Sequence, residues 1–392
     1  MSQVFIVDGV RSPIGRYGGA LSSVRPDDLA GSVVAALVER TNDLDPVRID
    51  DVLFGAANGA GEDNRNVARM AVLLAGLPTS IPGATVNRLC GSGMEAVIEA
   101  SRAIEVGDAG VCVAGGVESM SRAPWVLLKP EQRLPRADAN LHSTTLGWRM
   151  INPAMPAEWT VSLGEGAEIL ATRYGISREA QDSFALASHA NADAAWATGK
   201  YDDEVVSVAG IALDRDESIR SNTSLDRLAS LAPLFRKEGT VTAGNSSPLN
   251  DGAAALLLAS EAEVNKLGNA PLARVAARAV SAVEPQLFGI GPVEAARTAL
   301  NRAGIGWSDL VAVELNEAFA AQSLACLAEW PELDPSIVNV QGGAIALGHP
   351  LGSSGARILA SLAWQLRRHG GGFGLATMCI GVGQGIAVVL EA

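Results

Sequence analysis

Apolar residues return along this chain in two alternating rhythms: short continuous runs, and longer stretches with a single apolar face. The run Val4–Val7 predicts a buried strand, followed by a glycine-rich loop from Arg11 to Gly19. Leu29, Val33, Val34, Leu37 and Val38 fall at helical spacing, in a helix that Asp27 or Asp28 can open. Asp51–Phe54 reads as a second strand and Asn66–Leu74 as a helix ending near Gly76 and Pro78. The run up to Leu89 reads as a strand. After Cys90 comes a helix with Met94, Val97, Ile98 and Ile104 on one face, Glu95, Glu99, Arg102 and Glu105 on the other, and Gly107 as its stop. Gly110–Ser119 is another strand, ending in a glycine turn. Such alternation predicts an α/β sheet domain covered by helices.

The pattern changes near Met120. Pro124, Pro130, Pro135, Pro153 and Pro156 interrupt a region that holds Trp125, Trp148 and Trp159. Helices Glu165–Tyr174 and Ser177–Thr198 follow, and Ala253–Ala259 resumes an apolar strand, so 121–247 reads as an insertion. From Pro271 the first rhythm recurs: strand Ala273–Val280, helix Pro292–Arg302, strand Val311–Leu315, helix Glu317–Glu329, strand Ile337–Val340, helix Ala356–Arg368 and strand Phe373–Met378. The order strand–(His-Pro-Leu-Gly-Ser-Ser-Gly)–helix–strand parallels strand–(Cys-Gly-Ser-Gly)–helix–strand around Cys90. Two similar halves, 1–120 with 248–270 and 271–392, would bring these two corners together.

Composition narrows the class. Of 392 residues, 48% are apolar, 42 are glycine and only 4% are aromatic, so the core must be closely packed Ala, Val, Leu and Ile. A net charge of -13 argues against a nucleic-acid footprint. Cys90, Cys112, Cys326 and Cys379 fit neither a disulfide framework nor a zinc cluster, so no metal is expected. The chain starts directly into a strand, and no apolar run reaches membrane-spanning length. The expectation is a cytoplasmic protein with no membrane partner.

Chemistry gathers at a few corners. Cys90 sits where a strand meets a helix, and unpaired N–H groups and the helix dipole there favour a thiolate; a small apolar side chain filling a turn is the alternative. Cys112 lies in an apolar run and reads as core, and His142 and His189 as surface or structural. Arg215, Arg220, Arg227, Arg236 and Lys237 form either a phosphate site or an ordinary solvated face. His349 stands in a glycine-rich corner with Ser353 and Ser354 after it. Cys379 opens Cys-Ile-Gly-Val-Gly-Gln-Gly385, and Asn316 follows an apolar strand. One cysteine could act as nucleophile, the histidine as its activator, the other cysteine as acid and base, and an amide with glycine N–H groups as an oxyanion hole.

Five stretches together resemble the thiolase family over nearly the whole chain: Asn-Arg-Leu-Cys90-Gly-Ser-Gly, Val-Glu-Ser-Met-Ser-Arg-Ala-Pro, Asn316-Glu-Ala-Phe-Ala, Gly-Gly-Ala-Ile-Ala-Leu-Gly-His349-Pro-Leu-Gly and Cys379-Ile-Gly-Val-Gly-Gln-Gly. The second cysteine separates the chain from related ketosynthases. The resemblance implies a five-layered αβαβα fold of two pseudo-duplicated halves plus an inserted CoA-binding loop domain at 121–247, assembled as a homodimer or homotetramer. It implies reversible cleavage of a 3-oxoacyl-CoA by CoA, which is a substrate, with no cofactor. By analogy Cys90 is the nucleophile, His349 its activator and Cys379 the acid and base. Asn316 would hold a water, and the N–H groups of Cys90 and Gly381 would form the oxyanion hole. Arg220 would meet the nucleotide end of CoA, and Ser247 and Phe319 the pantetheine arm.

Three further segments resemble the 3-oxoadipyl-CoA branch of the family: the loop from Arg11 through Leu21, Gly-Glu-Asp-Asn-Arg-Asn-Val-Ala-Arg-Met, and Thr-Thr-Leu-Gly-Trp-Arg-Met-Ile-Asn-Pro. Arg122 and Arg149 are candidates to meet a distal carboxylate in the acyl pocket, beside Phe288. The chain departs from the family at Asn245-Ser-Ser-Pro248, at Leu163-Gly-Glu-Gly-Ala-Glu168, and at Phe288, where methionine is common. The alternatives are a general acetoacetyl-CoA thiolase, an acyl-CoA-binding scaffold without turnover, and a redox sensor using Cys90 and Cys379.

Overall fold

The computed structural model describes residues 2–136, 138–268 and 270–392. The main sheet is built from β1 (Val4–Arg11), β2 (Asp51–Gly55), β3 (Gly83–Val86), β4 (Val111–Ser119), β5 (Asn250–Ser260), β6 (Ala273–Ala282), β7 (Leu310–Leu315), β8 (Phe373–Ile380) and β9 (Gln384–Glu391), with the short piece Gly15–Arg16 paired to β5. Across the sheet their order is β7-β8-β9-β6-β1-β5-β4-β2-β3. The longer helices are α1 (Pro26–Arg40), α2 (Val67–Leu74), α3 (Ser92–Val106), α4 (Leu163–Tyr174), α5 (Arg178–Ala197), α6 (Gly291–Ala303), α7 (Ala320–Ala328) and α8 (Leu351–His369).

One pairing plan occurs twice. In the first half β3, β2 and β4 run parallel, then β5 and β1 follow antiparallel. In the second half β7 and β8 run parallel, then β9 and β6 follow antiparallel. The two plans meet where Phe5 and Ile6 of β1 pair with Arg274 and Ala273 of β6.

The period-2 pleat sorts side chains into layers. Along β5, Ala254, Leu256 and Leu258 face one core with α3 and α8, whereas Ala255, Leu257 and Ala259 face another with α1 and α2. Along β9, Ile386, Val388 and Leu390 enter the first core, whereas Ala387 and Val389 join a third with α6. Helices α3 and α8 therefore lie between the two half-sheets, with α1 and α2 outside one half and α6 and α7 outside the other, giving the five layers αβαβα. The paired central helices are packed closely enough to require glycine. A Cβ on Gly355 would lie 2.4 Å from the backbone nitrogen of Met94, and one on Gly93 would lie 2.7 Å from the carbonyl oxygen of Gly352.

Several expected elements differ. The strand expected at Ile337–Val340 is reduced to a 3-10 turn, Pro335–Ile337, and one parallel bridge from Val338 to Val313. Asn339, with φ of 49°, ends it: its side-chain amide exchanges two 2.8 Å hydrogen bonds with the backbone of Leu315, taking over the ladder. The helix expected from Glu317 starts at Ala320, because Glu317 is buried and accepts from Ser188, Asn339 and Ile345. The helix expected from Ala356 starts at Leu351. The strand before Cys90 ends at Val86 rather than Leu89. Glu95, expected on the polar face, is buried and ion-paired to Arg88 at 2.9 Å. Strand β9 was not expected, although Ile386-Ala-Val-Val-Leu390 is a continuous apolar run.

Candidate active site

Cys90 lies in a 3-10 turn, Leu89–Gly91, between β3 and α3. Its corner is tied by its own side chains. Asn87 Oδ1 accepts from the Leu89 N–H at 2.9 Å, and Ser92 Oγ accepts from the Arg88 N–H at 2.9 Å while donating to the Leu89 carbonyl at 2.6 Å. Leu89 takes φ of 48°, a left-handed conformation costly for a leucine, and this aims the next residue into the site.

His349 occupies the equivalent corner of the second half, between the Val338 bridge and α8. Its backbone N–H donates to Asn250 Oδ1 at 2.9 Å. The Ser354 hydroxyl donates its proton to the Pro350 carbonyl at 2.9 Å, so at 2.7 Å from the ring it accepts from Nδ1–H. That assigns the proton to Nδ1 and leaves Nε2 free as an acceptor. Asn316 Nδ2 lies 3.5 Å from that Nε2, and Asn316 Oδ1 is buried without a protein partner. Burial, with the Arg357 charge nearby, pushes His349 down to about 3, so the ring is a neutral base at ordinary pH.

Cys379 lies near the end of β8, just before the turn Gly381–Gly383 that leads into β9. In that turn Val382 and Gly383 take φ of 66° and 76°. The Gly381 N–H meets the Cys90 sulfur and, with the backbone of Cys90, favours its thiolate, but burial outweighs both and pushes the thiol up to about 11. The backbone N–H groups at the corner act in the expected direction, toward the thiolate, but act against removal of the sulfur from water. Burial and then the neighbouring Cys90 raise Cys379 well above the usual thiol range.

Cys90, Cys379 and His349 line one cavity of about 420 Å³. Ser247, Phe319 and Phe288 line it too, and Phe319 makes edge contacts with both Phe288 and Phe235 at 6.3 Å. Ser247 donates both N–H and Oγ–H to the Ala318 carbonyl, at 3.0 and 3.1 Å, which clamps the Asn316–Phe319 segment. Cys90 also borders a second cavity of about 380 Å³ with Gly381 and Arg149. Arg122 is not among the residues lining either one. It pairs with Glu62 at 2.7 Å in a separate cleft with Ser22 and Arg25, because that carboxylate already balances its charge. Arg220 also lies outside both cavities. It is exposed, and its backbone N–H donates to His189 Nδ1 at 3.2 Å. Arg215 and Arg236 of the same basic stretch pair with Asp193 and Glu165, whereas among the described residues Arg220 and Lys237 make no ion pair.

Four residues contribute to the site without a role assigned to them from sequence. Glu118 lines the second cavity, and its Oε2 accepts from the N–H groups of Ala57 at 2.9 Å and Gly352 at 2.8 Å. Burial holds it up at about 7. A carboxylate inside the otherwise apolar run Val-Cys-Val-Ala-Gly-Gly-Val-Glu was the available signal. Asn250 and Ser354 orient His349 from distant or unremarked positions. Phe235 completes the aromatic wall.

Two buried thiols and a neutral imidazole in one cavity form an arrangement that can carry out acyl transfer. Family models described as the N-terminal and C-terminal domains of thiolase match residues 4–262 and 269–392. The chain belongs to the thiolase family. It is 52% identical over 401 residues to the 3-oxoadipyl-CoA/3-oxo-5,6-dehydrosuberyl-CoA thiolase of Escherichia coli K12, covering 100% of each chain. It is 52% identical over 399 residues to the beta-ketoadipyl-CoA thiolase of Pseudomonas putida, again covering 100% of each. The solved structure of human mitochondrial 3-ketoacyl-CoA thiolase superposes with a TM-score of 0.93 at 39% identity, over 100% of this chain and 99% of that one. The acetyl-CoA acetyltransferase of Bacillus anthracis does so with a TM-score of 0.93 at 40% identity, over 100% and 99%. The protein is therefore an acyltransferase of the thiolase fold. Among the described residues no helix is long and apolar enough to cross a membrane.

Proposed function

We propose that the protein cleaves 3-oxoadipyl-CoA with CoA, giving acetyl-CoA and succinyl-CoA. The observation that carries the chemistry is the single cavity shared by both sulfurs and the imidazole. The substrate rests on the names of the 52% identical relatives.

In this reading His349 Nε2 takes the Cys90 proton as the sulfur attacks C3 of the substrate. The C2–C3 bond breaks, Cys379 protonates C2, and acetyl-CoA leaves with the acyl group held on Cys90. Cys379, now a thiolate, takes the proton of an incoming CoA thiol, whose sulfur attacks the thioester. Cys90 departs and recovers its proton from His349. The N–H groups of Cys90 and Gly381 receive the tetrahedral oxyanion. Asn316 Oδ1, buried and unpartnered, suits a water that together with His349 receives the enolate oxygen. Both sulfurs held as thiols and a neutral ring mean that charge develops only as substrate reacts.

Residues 121–247, including α4 and α5, serve as the loop domain that binds CoA, set between the halves 1–120 with 248–270 and 271–392. Arg220 meets the CoA phosphates, and Ser247 and Phe319 flank the pantetheine arm. The enzyme works as a cytoplasmic homodimer or homotetramer without a cofactor. Incubation with 3-oxoadipyl-CoA in the absence of free CoA should add the mass of a succinyl group to the peptide holding Cys90. An unmodified Cys90 would remove the covalent route. A kcat/KM for acetoacetyl-CoA more than about tenfold above that for 3-oxoadipyl-CoA would transfer the assignment to a general acetoacetyl-CoA thiolase.

A further inference from the structure

Cys90 stands where two cavities meet, and the reading above fills only one. The cavity with Ser247, Phe319 and Cys379 takes the CoA arm. Gly381 lines the other cavity, of about 380 Å³. An acyl group whose oxygen rests between the Cys90 and Gly381 N–H groups therefore directs its chain into that second space. Leu89, Leu163, Leu351 and Val382 supply apolar walls for methylenes, and Arg149 stands on the rim. Among the residues lining either cavity Arg149 is the one arginine or lysine. It makes no ion pair among the described residues and is exposed, free to swing toward the cavity. The one carboxyl lining this space, Glu118, is engaged by two backbone N–H groups and does not neutralise it. Arg122, the other candidate for a distal carboxylate, is already balanced by Glu62 and lines neither cavity.

We infer that Arg149 receives the distal carboxylate of a dicarboxylic acyl chain, making the second cavity a subsite for 3-oxoacyl-CoA chains that end in a negative charge. An unpaired guanidinium on the rim of an otherwise apolar cavity is suited to a bidentate carboxylate and gains little from an apolar chain end. A long, exposed side chain can also follow acids of different length, and the name of the Escherichia coli relative gives that protein two such substrates, 3-oxoadipyl-CoA and 3-oxo-5,6-dehydrosuberyl-CoA.

The inference rests on the 3-oxoadipyl reading, and the test separates the two. The quantity measured is the ratio of kcat/KM for 3-oxoadipyl-CoA to that for 3-oxohexanoyl-CoA, which has the same six-carbon chain without the carboxylate. In the wild type this ratio should exceed one; a ratio below one sinks the dicarboxylate reading itself. Arg149→Met should lower the ratio by about 10- to 100-fold, Arg149→Glu further, and Arg149→Lys by less than Met. A ratio within about threefold of wild type in Arg149→Met and Arg149→Glu overturns the inference while leaving the substrate assignment intact. Loss of folded protein scales both rates equally, so the ratio reads the side chain in whatever enzyme remains folded; a Lys ratio between those of wild type and Met supports the subsite, and a Lys ratio below that of Met counts against it.

Discussion

The Cys90 corner and the His349 corner occupy equivalent places in the two halves, yet the bonds that fix their backbones come mostly from different distances along the chain. The Cys90 turn is stitched by neighbours in sequence, Asn87 and Ser92, and stores a left-handed leucine. The His349 turn is held from afar: Asn250, 99 residues away, grips its backbone, and Glu118, 234 residues from Gly352, grips the start of α8. The backbone N–H groups of the Cys90 corner find their partners within the turn, and its outside ties, Asn87 to the Ala57 carbonyl and Arg88 to Gln384, run through side chains. A corner held from a distance is correct only once both half-sheets are assembled. The division suits the chemistry, since the base becomes useful only when it faces the nucleophile across the α3–α8 contact.

The largest effects should come from the reacting groups themselves. Cys90→Ser should lower kcat/KM by at least about 10³-fold and His349→Ala by about 10²–10⁴-fold, with far-UV circular dichroism unchanged. A Cys90→Ser variant as active as wild type would remove the thioester from the mechanism.

The protonation state of the resting pair comes next. With Cys90 pushed up to about 11, the thiolate is scarce at neutral pH, and its share rises about tenfold per pH unit until the pH reaches that value. Alkylation of Cys90 by iodoacetamide, followed by mass spectrometry, should therefore accelerate by about 100-fold between pH 7 and pH 9. A preformed thiolate–imidazolium pair would give a rate flat across that range, because its sulfur is already ionised; with His349 held down at about 3, no such pair is expected.

The sequence already carried the reacting atoms and the strand-to-helix rhythm. Cys90 stands in a glycine-containing turn, Cys379 near a strand end before another, Asn316 directly follows a strand, and His349 lies in a glycine-rich corner, and local pattern reports that much. It cannot report that Asn339 swaps its side chain for a strand, or that Glu95 is covered by packing, since both depend on what arrives from elsewhere in the chain. The protonation of Cys90 is hidden for a related reason: helix ends are visible in sequence, whereas burial is a property of the assembled layers. Arg122 and Arg149 looked alike until the partner of the first, Glu62, 60 residues away, was seen.

The two corners can be tested against each other through their asparagines. Asn250 is fully buried, and besides accepting from His349 it donates to Gly15 and Ser218 at 3.0 Å. Asn250→Ala strands these partners and should cost about 2–4 kcal/mol of stability, with about a tenfold loss of kcat. Asn87 is exposed, so water replaces what Asn87→Ala removes, and about 1 kcal/mol or less should be lost. Urea unfolding of both variants measures the difference. Equal losses would show that distance in sequence does not distinguish how the corners are held.

The smallest effect concerns one proton. Ser354 accepts from His349 Nδ1 only because its own proton is committed to the Pro350 carbonyl. Ser354→Ala removes the acceptor, so the neutral ring no longer has a reason to keep its proton on Nδ1, and part of the population presents a protonated Nε2 that cannot take the Cys90 proton. The loss should be about 3- to 10-fold in kcat, with KM for CoA unchanged, because the ring stays in place and only its tautomer shifts. Ser354→Thr restores the hydroxyl and should recover most of the rate. Nitrogen-15 shifts of the His349 ring report the tautomer directly. A Ser354→Ala ring still protonated at Nδ1 would mean that Asn316, donating to Nε2 from 3.5 Å, is sufficient to set it.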